Sequence, residues 1–371
     1  MKFYHLLLIL FFISSSGSIG CLPEREVLEL PPQALNITGN IVTTLKAPLT
    51  DVRNLRVSGD RLYLADGAGL FIYDISDPSE PALIGNVLSD NVDQIAVDEA
   101  RERVFSISIG GDQVQEWNIS DVSIPTLQAE AEVFVRSFGN LSASNGLLWV
   151  AVGASPPSRI FFGQDPISNS KSCLGDDRER GVMGVWLYED LVVRSVHFDD
   201  FAGDGLDGRG GFGYTIAKIN IEPPNLCPSV ETTDLFLSET HAFNRSMFET
   251  STNSDLQVDY DEIQSKLYVT GDQILKQYDI STDGIATLQN KLELSDVLDV
   301  ATSKGSQSPP VLGVANGDFG LLSVENNALV FETLIATPGE ARAVESAGDD
   351  EHFFIADGTN GLVVVRYEAA Q

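Results

Sequence analysis

The chain has 371 residues, with 23 Lys and Arg against 54 Asp and Glu, for a formal net charge of −31. A surface this acidic repels phosphate backbones and anionic lipid headgroups, so nucleic acid is excluded as a partner class and the folded surface offers a membrane no electrostatic attraction. Solubility is the plain reading of such acidity; cation binding and life in salty water are the sharper ones.

Met1-Lys2-Phe3-Tyr4-His5 leads into an apolar run from Leu6 to Ile13, then into small and polar residues up to Gly20 and Cys21. A charged start, a short hydrophobic stretch and a small-residue exit predict an export signal over residues 1–20, too short for a stable membrane span. Ser18-Ile19-Gly20-Cys21 resembles a bacterial lipobox, with Ser18 where Leu is usual. The resemblance implies lipidation of Cys21 and anchoring to the cell envelope. Leu22 stands where an Asp would signal inner-membrane retention, which implies the outer membrane, facing periplasm or surface. Plain secretion with Cys21 as an ordinary thiol is the other reading. Residues 21–40 are expected to form a tether and 41–371 one domain, a monomer. No later segment approaches ~20 consecutive apolar residues, which leaves the acyl chain as the membrane attachment.

With Cys21 set aside, Cys173 and Cys227 make an even number in an oxidising compartment. A disulfide between them would close a loop that adds about 4 kcal/mol by chain entropy; two buried thiols are the alternative. No His cluster accompanies them, so they make a poor metal site.

From about residue 41 onward, short β-rich runs bounded by Gly, Asp, Asn and Pro succeed one another, and none keeps a helical period. Leu62-Tyr63-Leu64-Ala65-Asp66-Gly67-Ala68-Gly69-Leu70-Phe71-Ile72-Tyr73-Asp74-Ile75-Ser76-Asp77-Pro78 recurs in part as Phe354-Ile355-Ala356-Asp357-Gly358-Thr359-Asn360-Gly361-Leu362-Val363-Val364-Val365. Strands that follow the Gly turn start at Leu70, Val114, Ile274, Leu321 and Leu362, at intervals of 44, 160, 47 and 41 residues. Two further strand groups, Leu147–Val152 with Ile160–Phe162 and Leu191–Phe198 with Tyr214–Ile221, divide the long interval into three. The reading is all-β: a β-propeller of seven blades, about four strands each. Only three strands fit at the C-terminus (Ala341–Ala347, His352–Ala356, Leu362–Tyr367), so Ile41–Lys46 is expected to pair there and close the ring.

The first of these segments, followed by Pro81, resembles the repeat named for its Leu-Val-Ile-Val-Asp core in exported bacterial β-propeller proteins; Trp117-Asn118-Ile119-Ser120-Asp121 with Pro125 and Tyr278-Asp279-Ile280-Ser281 echo it. The resemblance fades over residues ~137–253. It implies a propeller at the cell surface or in the periplasm, and no reaction. Asp66-Gly67 and Asp357-Gly358 read as turn chemistry, with Asp74 and Asp279 closing strands and Pro78 and Pro81 stiffening the connection that follows.

Propellers bind ligands at the end that gathers the segments entering each innermost strand and the connections from second to third strands. Aligning innermost strands places Arg53, Asp93, Arg136, Met183, Leu256, Leu298 and Arg342 at equivalent entries. Arg53, Arg136 and Arg342 there could hold a carboxylate, a sulfate or an acidic partner side chain through paired N–H donors. The alternative is that they neutralise Asp51, Asp93 and Glu340.

The same end is expected to carry Asp199-Asp200-Phe201-Ala202-Gly203-Asp204-Gly205-Leu206-Asp207-Gly208-Arg209-Gly210-Gly211-Phe212-Gly213, where Asp199, Asp200, Asp204 and Asp207 could wrap Ca²⁺. The spacing departs from the EF-hand: Ala202 replaces an oxygen ligand and no Glu closes the loop. A mobile acidic loop is the alternative. Ser238–Ser254, with His241, Asn244 and Arg245, and Ala154–Ser158 add irregular segments.

Enzymatic chemistry finds little support. Beyond His5 there are only His197, His241 and His352, and no Gly-x-Ser-x-Gly, His-Glu-x-x-His or Gly-Lys-Ser/Thr motif. A glycosidase or a calcium-dependent lactonase needs no short motif and stands as the alternative function, with an outer-membrane assembly scaffold as another. The preferred reading is a non-catalytic, lipid-anchored module that binds a protein, peptide or saccharide of the envelope, with no cofactor apart from Ca²⁺ in the loop reading.

Overall fold

A computed structural model describes residues 37–89, 91–108, 113–132, 138–144, 146–152, 159–162, 171–174, 182–188, 191–198, 211–220, 229–231, 257–261, 263–271, 274–281, 286–294, 297–303, 311–325, 328–349 and 351–368. Two compact units divide the chain, Met1–Gln33 and Ala34–Gln371; the first, with the expected signal and Cys21, lies outside the described residues.

Among the described residues everything regular is β-strand except one 3₁₀ turn, Glu99–Arg101. β1 (Thr38–Leu45) comes first and starts within the stretch expected as tether. Then follow β2–β5 (Val52–Ser58, Arg61–Asp66, Gly69–Asp74, Ala82–Leu88) and β6–β9 (Val92–Asp98, Arg103–Ser108, Gln113–Asn118, Thr126–Glu132). Next are β10–β13 (Phe138–Ser144, Leu147–Val152, Arg159–Phe162, Lys171–Leu174) and β14–β17 (Val182–Tyr188, Leu191–Phe198, Gly211–Asn220, Ser229–Glu231). The chain continues with β18–β21 (Gln257–Asp261, Lys266–Gly271, Ile274–Ile280, Ala286–Glu293) and β22–β25 (Asp299–Thr302, Val311–Ala315, Phe319–Glu325, Ala328–Ile335). It ends with β26–β28 (Ala343–Ser346, His352–Ala356, Leu362–Glu368).

Each group is one antiparallel sheet in chain order, and β1 joins the last to give β1-β28-β27-β26, so that the described strands form seven four-stranded sheets. Pairs such as Gly39↔Tyr367 and Leu45↔Leu362 fix the β1 register.

The continuous apolar runs have a geometric cause. Neighbouring strand residues point to opposite faces, and here both faces are covered by another sheet. Leu62 and Leu64 pack with Phe354, Ala356, Leu362 and Val364 of the last sheet, while Tyr63 and Ala65 pack with Val92, Ile95 and Trp117 of the second. In β27 and β28, Phe353, Ile355, Val363 and Val365 turn instead toward Val311, Phe319 and Leu321. Each apolar layer thus lies between two sheets and fixes their separation.

Asp66 anchors the turn end of the first sheet. Its carboxylate accepts the N–H groups of Thr50 (2.9 Å), Asp51 (2.8 Å) and Ala68 (2.8 Å) and the Thr50 hydroxyl (2.7 Å). Of the two Asp-Gly turns, Gly358 has positive φ (56°) and Gly67 does not, while Gly69 (φ 143°) and Gly361 (φ 90°) share it. The expected acidic loop is shorter than the sequence reading, because Gly211, Phe212 and Gly213 belong to β16 and pair with Phe198, His197 and Val196.

Candidate functional site

β2 does not run straight into its sheet. Its register slips between Val52 and Asn54, leaving Arg53 as the bulged residue, and a bulge re-aims the side chain it carries. Arg53 Nε donates to Asp51 Oδ2 at 2.9 Å, and Asp51 Oδ1 accepts Arg342 Nη1 from the last sheet at 2.8 Å. Arg342 also donates Nε and Nη2 to Glu340 Oε2, at 3.3 and 3.2 Å. The two arginines therefore share a chain of carboxylates, each bonded to the acid two positions before it, across the junction of the first and last sheets. Pairs this exposed contribute about 0–1 kcal/mol each, so the network organises the surface more than it stabilises the fold. Arg53 Nη1 is buried and meets no acceptor.

The other sequence-predicted positions divide. Asp93 occupies the corresponding bulge of β6 and Met183 that of β14. In β10 the slip falls between Phe138 and Leu141, beyond Arg136, so register places Gly139 and Asn140 where β2 has Arg53. Arg136, Leu256, His241, Asp199, Asp200, Asp204, Asp207 and Cys227 lie outside the described residues, and Cys173 is described only as a residue of β13. No group of three or more His, Cys, Asp or Glu poised for a metal occurs among the described residues.

A second constellation, missed from sequence, sits at the opposite end of the sheets. His352 Nδ1 lies 2.7 Å from Asp349 Oδ2, and its Nε2 lies 3.1 Å from Ser79 Oγ in the β4–β5 connection of the first sheet. Burial alone would raise the Asp349 pKa, but bonds from the His352 ring and from the N–H groups of Glu351 and His352 outweigh it and hold the carboxylate below its ordinary value. The connectivity is that of a Ser-His-Asp relay. Acyl transfer also needs free N–H donors beside the nucleophile for the developing oxyanion. Here the Ser79 N–H is committed to Asp77 Oδ1 (3.0 Å) and the Glu80 N–H to Asp77 O (3.0 Å). Ser79 O in addition accepts the Thr43 hydroxyl of β1 at 2.6 Å. The arrangement thus acts as a lock between the first and last sheets. The second repeat held the clue: its corresponding Ser123 caps its own Asp121 (2.6 Å), so a serine turned toward a histidine breaks the pattern.

The LVIVD repeat family matches residues 50–89 and 338–365, the segments that build the first and last sheets. Among curated proteins none matches the chain in sequence. Solved structures match in shape: the β-propeller domain of Cps50 (Swd1) from Myceliophteria thermophila aligns with a TM-score of 0.58 at 12% identity, over 89% of this chain and 100% of that one. A chain of the Mitotic Checkpoint Complex aligns with a TM-score of 0.60 at 13% identity, over 92% and 97%, and the RRP9 WD40 repeats with 0.56 at 8%, over 89% and 97%. At such identities the likeness concerns the fold alone. By fold the chain is a β-propeller repeat protein that carries LVIVD-repeat sequence in its first and last sheets.

Proposed function

We propose that the chain is a seven-bladed propeller, closed by β1 on the last blade, that serves as a non-catalytic binding module of the cell envelope. A lipid on Cys21 holds it to the outer membrane, and the Arg53–Arg342 end takes an acidic group of a protein, peptide or saccharide. The observation that carries this reading is the ion-paired junction itself: two arginines brought together by the first and last sheets and sharing Asp51, in a chain of net charge −31. An incoming carboxylate there exchanges with Asp51 or Glu340 for donors already oriented, so little ordering is needed on binding. Closure is supported by β26 lying beside β2 and by the shared apolar layer of the first and last sheets. Export and anchoring rest on the sequence of residues 1–21.

The test is purification of the tagged full-length chain from envelopes of cells fed a palmitate analogue. Label on Cys21 is expected, with a stoichiometric envelope component that is lost on Arg342→Glu and kept on Ile124→Glu, an exposed residue at the opposite end. Absence of a partner, or one indifferent to Arg342→Glu, overturns the binding reading; an unlabelled Cys21 overturns the anchor.

A further inference from the structure

Asp51 is a carboxylate that both arginines of the junction touch. Its Oδ1 accepts Arg342 Nη1 at 2.8 Å and its Oδ2 accepts Arg53 Nε at 2.9 Å, so its two oxygens bridge guanidinium groups brought from two sheets. The backbone holds Asp51 from both sides: its N–H donates to Asp66 Oδ2 at 2.8 Å and its carbonyl accepts the Gly67 N–H at 3.0 Å. Val52, the next residue, donates to Gly358 O at 2.9 Å and ties the segment to the last sheet. The arginines in turn lie against the Asp-Gly turns, where a Cβ on Gly358 would sit 3.3 Å from Arg342 Cζ and one on Gly67 3.7 Å from Arg53 Nη2.

The repeat itself does not require this bridge. The second sheet has Asn91 at the place of Asp51 and Asp93 at the place of Arg53. What Asp51 does is fill the position between two guanidinium groups that a planar, two-oxygen anion from outside would take. The bridge is also open to exchange, because the side chains of Arg53, Asp51 and Arg342 are 16%, 25% and 34% exposed. A carboxylate carried on the same chain competes at an effective concentration of roughly millimolar or more. A small free anion below that level is held out, whereas a partner that makes further contacts around the site displaces Asp51.

We propose that Asp51 is an internal competitor at the Arg53–Arg342 pair: the site is shaped for one bridging carboxylate, and Asp51 keeps it closed to small anions until a larger partner presents one. This rests on the reading that this end binds an acidic group, and adds the chemical form of that group and the contact that regulates it. If Asp51 closes the pair about nine-tenths of the time, apparent affinity falls about tenfold.

The full-length chain, labelled with ¹⁵N and titrated with sodium acetate while the Nε–H resonances of Arg53 and Arg342 are followed, tests it. Asp51→Asn is compatible with the fold because Asn91 stands at this place in the second sheet, and it is expected to bind acetate about tenfold more tightly than the wild type. Adding Arg342→Gln should abolish the gain. Glu80→Gln, which removes the same charge at the opposite end, should leave affinity at the wild-type value. Methyl sulfate, equal in charge but tetrahedral, should gain less than acetate; an equal or larger gain overturns the carboxylate assignment. Acetate binding indifferent to Asp51→Asn overturns the competitor, whereas the binding reading stands or falls separately on whether an envelope component depends on Arg342.

Discussion

Asp299, at the start of β22, is buried at 5% exposure and ties two sheets together, accepting the Val344 N–H of β26 on Oδ2 at 2.9 Å and the Val300 N–H on Oδ1 at 2.9 Å. Burial raises its pKa to about 7, with Glu345 adding to the rise and Arg56 and the two N–H groups opposing it. Unfolded, the carboxyl titrates near 3.8. Between these values the native chain holds a proton that the unfolded chain lacks. Its contribution is therefore complete below about pH 4, falls as pH rises, and is gone above about pH 7, a change on the order of 3–4 kcal/mol. Asn54 occupies the same place in the first sheet and accepts the Ile95 N–H at 3.4 Å, so Asp299→Asn keeps the link and removes the titration. Denaturant unfolding at several pH values should show Asp299→Asn gaining on the wild type by that amount from pH 4.5 to 7.5. Parallel profiles would show that Asp299 is ionised throughout.

At the scale of the element, one constraint repeats where the motif repeats. Gly69 opens the third strand of its sheet and Gly361 immediately precedes that of the last, and a Cβ would lie 2.0 Å from Val87 O at Gly69 and 2.1 Å from Leu45 O at Gly361. Val87 is on β5 and Leu45 on β1, so the N-terminal strand meets its turn as an outermost strand does. Gly69→Ala and Gly361→Ala combine a left-handed backbone with a collision against a paired carbonyl, and each should cost about 3 kcal/mol or more. Gly348→Ala, at φ 83° with nothing within 4 Å, should cost only about 1 kcal/mol; equal losses in thermal unfolding at all three would deny the collision. Such turns made the sheets legible from sequence, because Asp-Gly with a later Gly has few substitutes. The middle of the chain was harder to read because strands covered on both faces demand only apolarity: Trp149 fills the place that Tyr63 fills in the first sheet. The arginine junction was half legible. The repeat aligned Arg53 with Arg342, and the expectation that they neutralise Asp51 and Glu340 is met by the ion pairs among these residues; the β-bulge that turns Arg53 was not readable, and the bond from Ser79 to His352 spans 273 residues, beyond any local pattern.

At the scale of the whole molecule, the two ends of the described chain meet in one sheet. β1 supplies the outer partner of β28 from Thr38↔Glu368 to Leu45↔Leu362, Thr43 donates to Ser79 O, and His352 reaches Ser79 from the last sheet. The β1–β28 ladder and the His352–Ser79 bond are among the least local contacts of the described residues, so they are made late and at a high loop-closure cost. A chain beginning at Ala47 keeps every residue of the other six sheets but leaves β28 as an open edge, with a row of unsatisfied N–H and C=O groups. Such a chain should unfold on the order of 10 °C lower and associate with rising concentration, despite the repulsion expected from its acidity. A peptide of residues 37–46 supplied in excess should restore both the midpoint and the monomer, because it re-forms the ladder and returns the Thr43 hydroxyl to Ser79. If the shortened chain stays monomeric with its midpoint unchanged, as calorimetry and light scattering would show, β1 is a decoration of the last sheet and the junction is held by the Leu62–Phe354 layer alone.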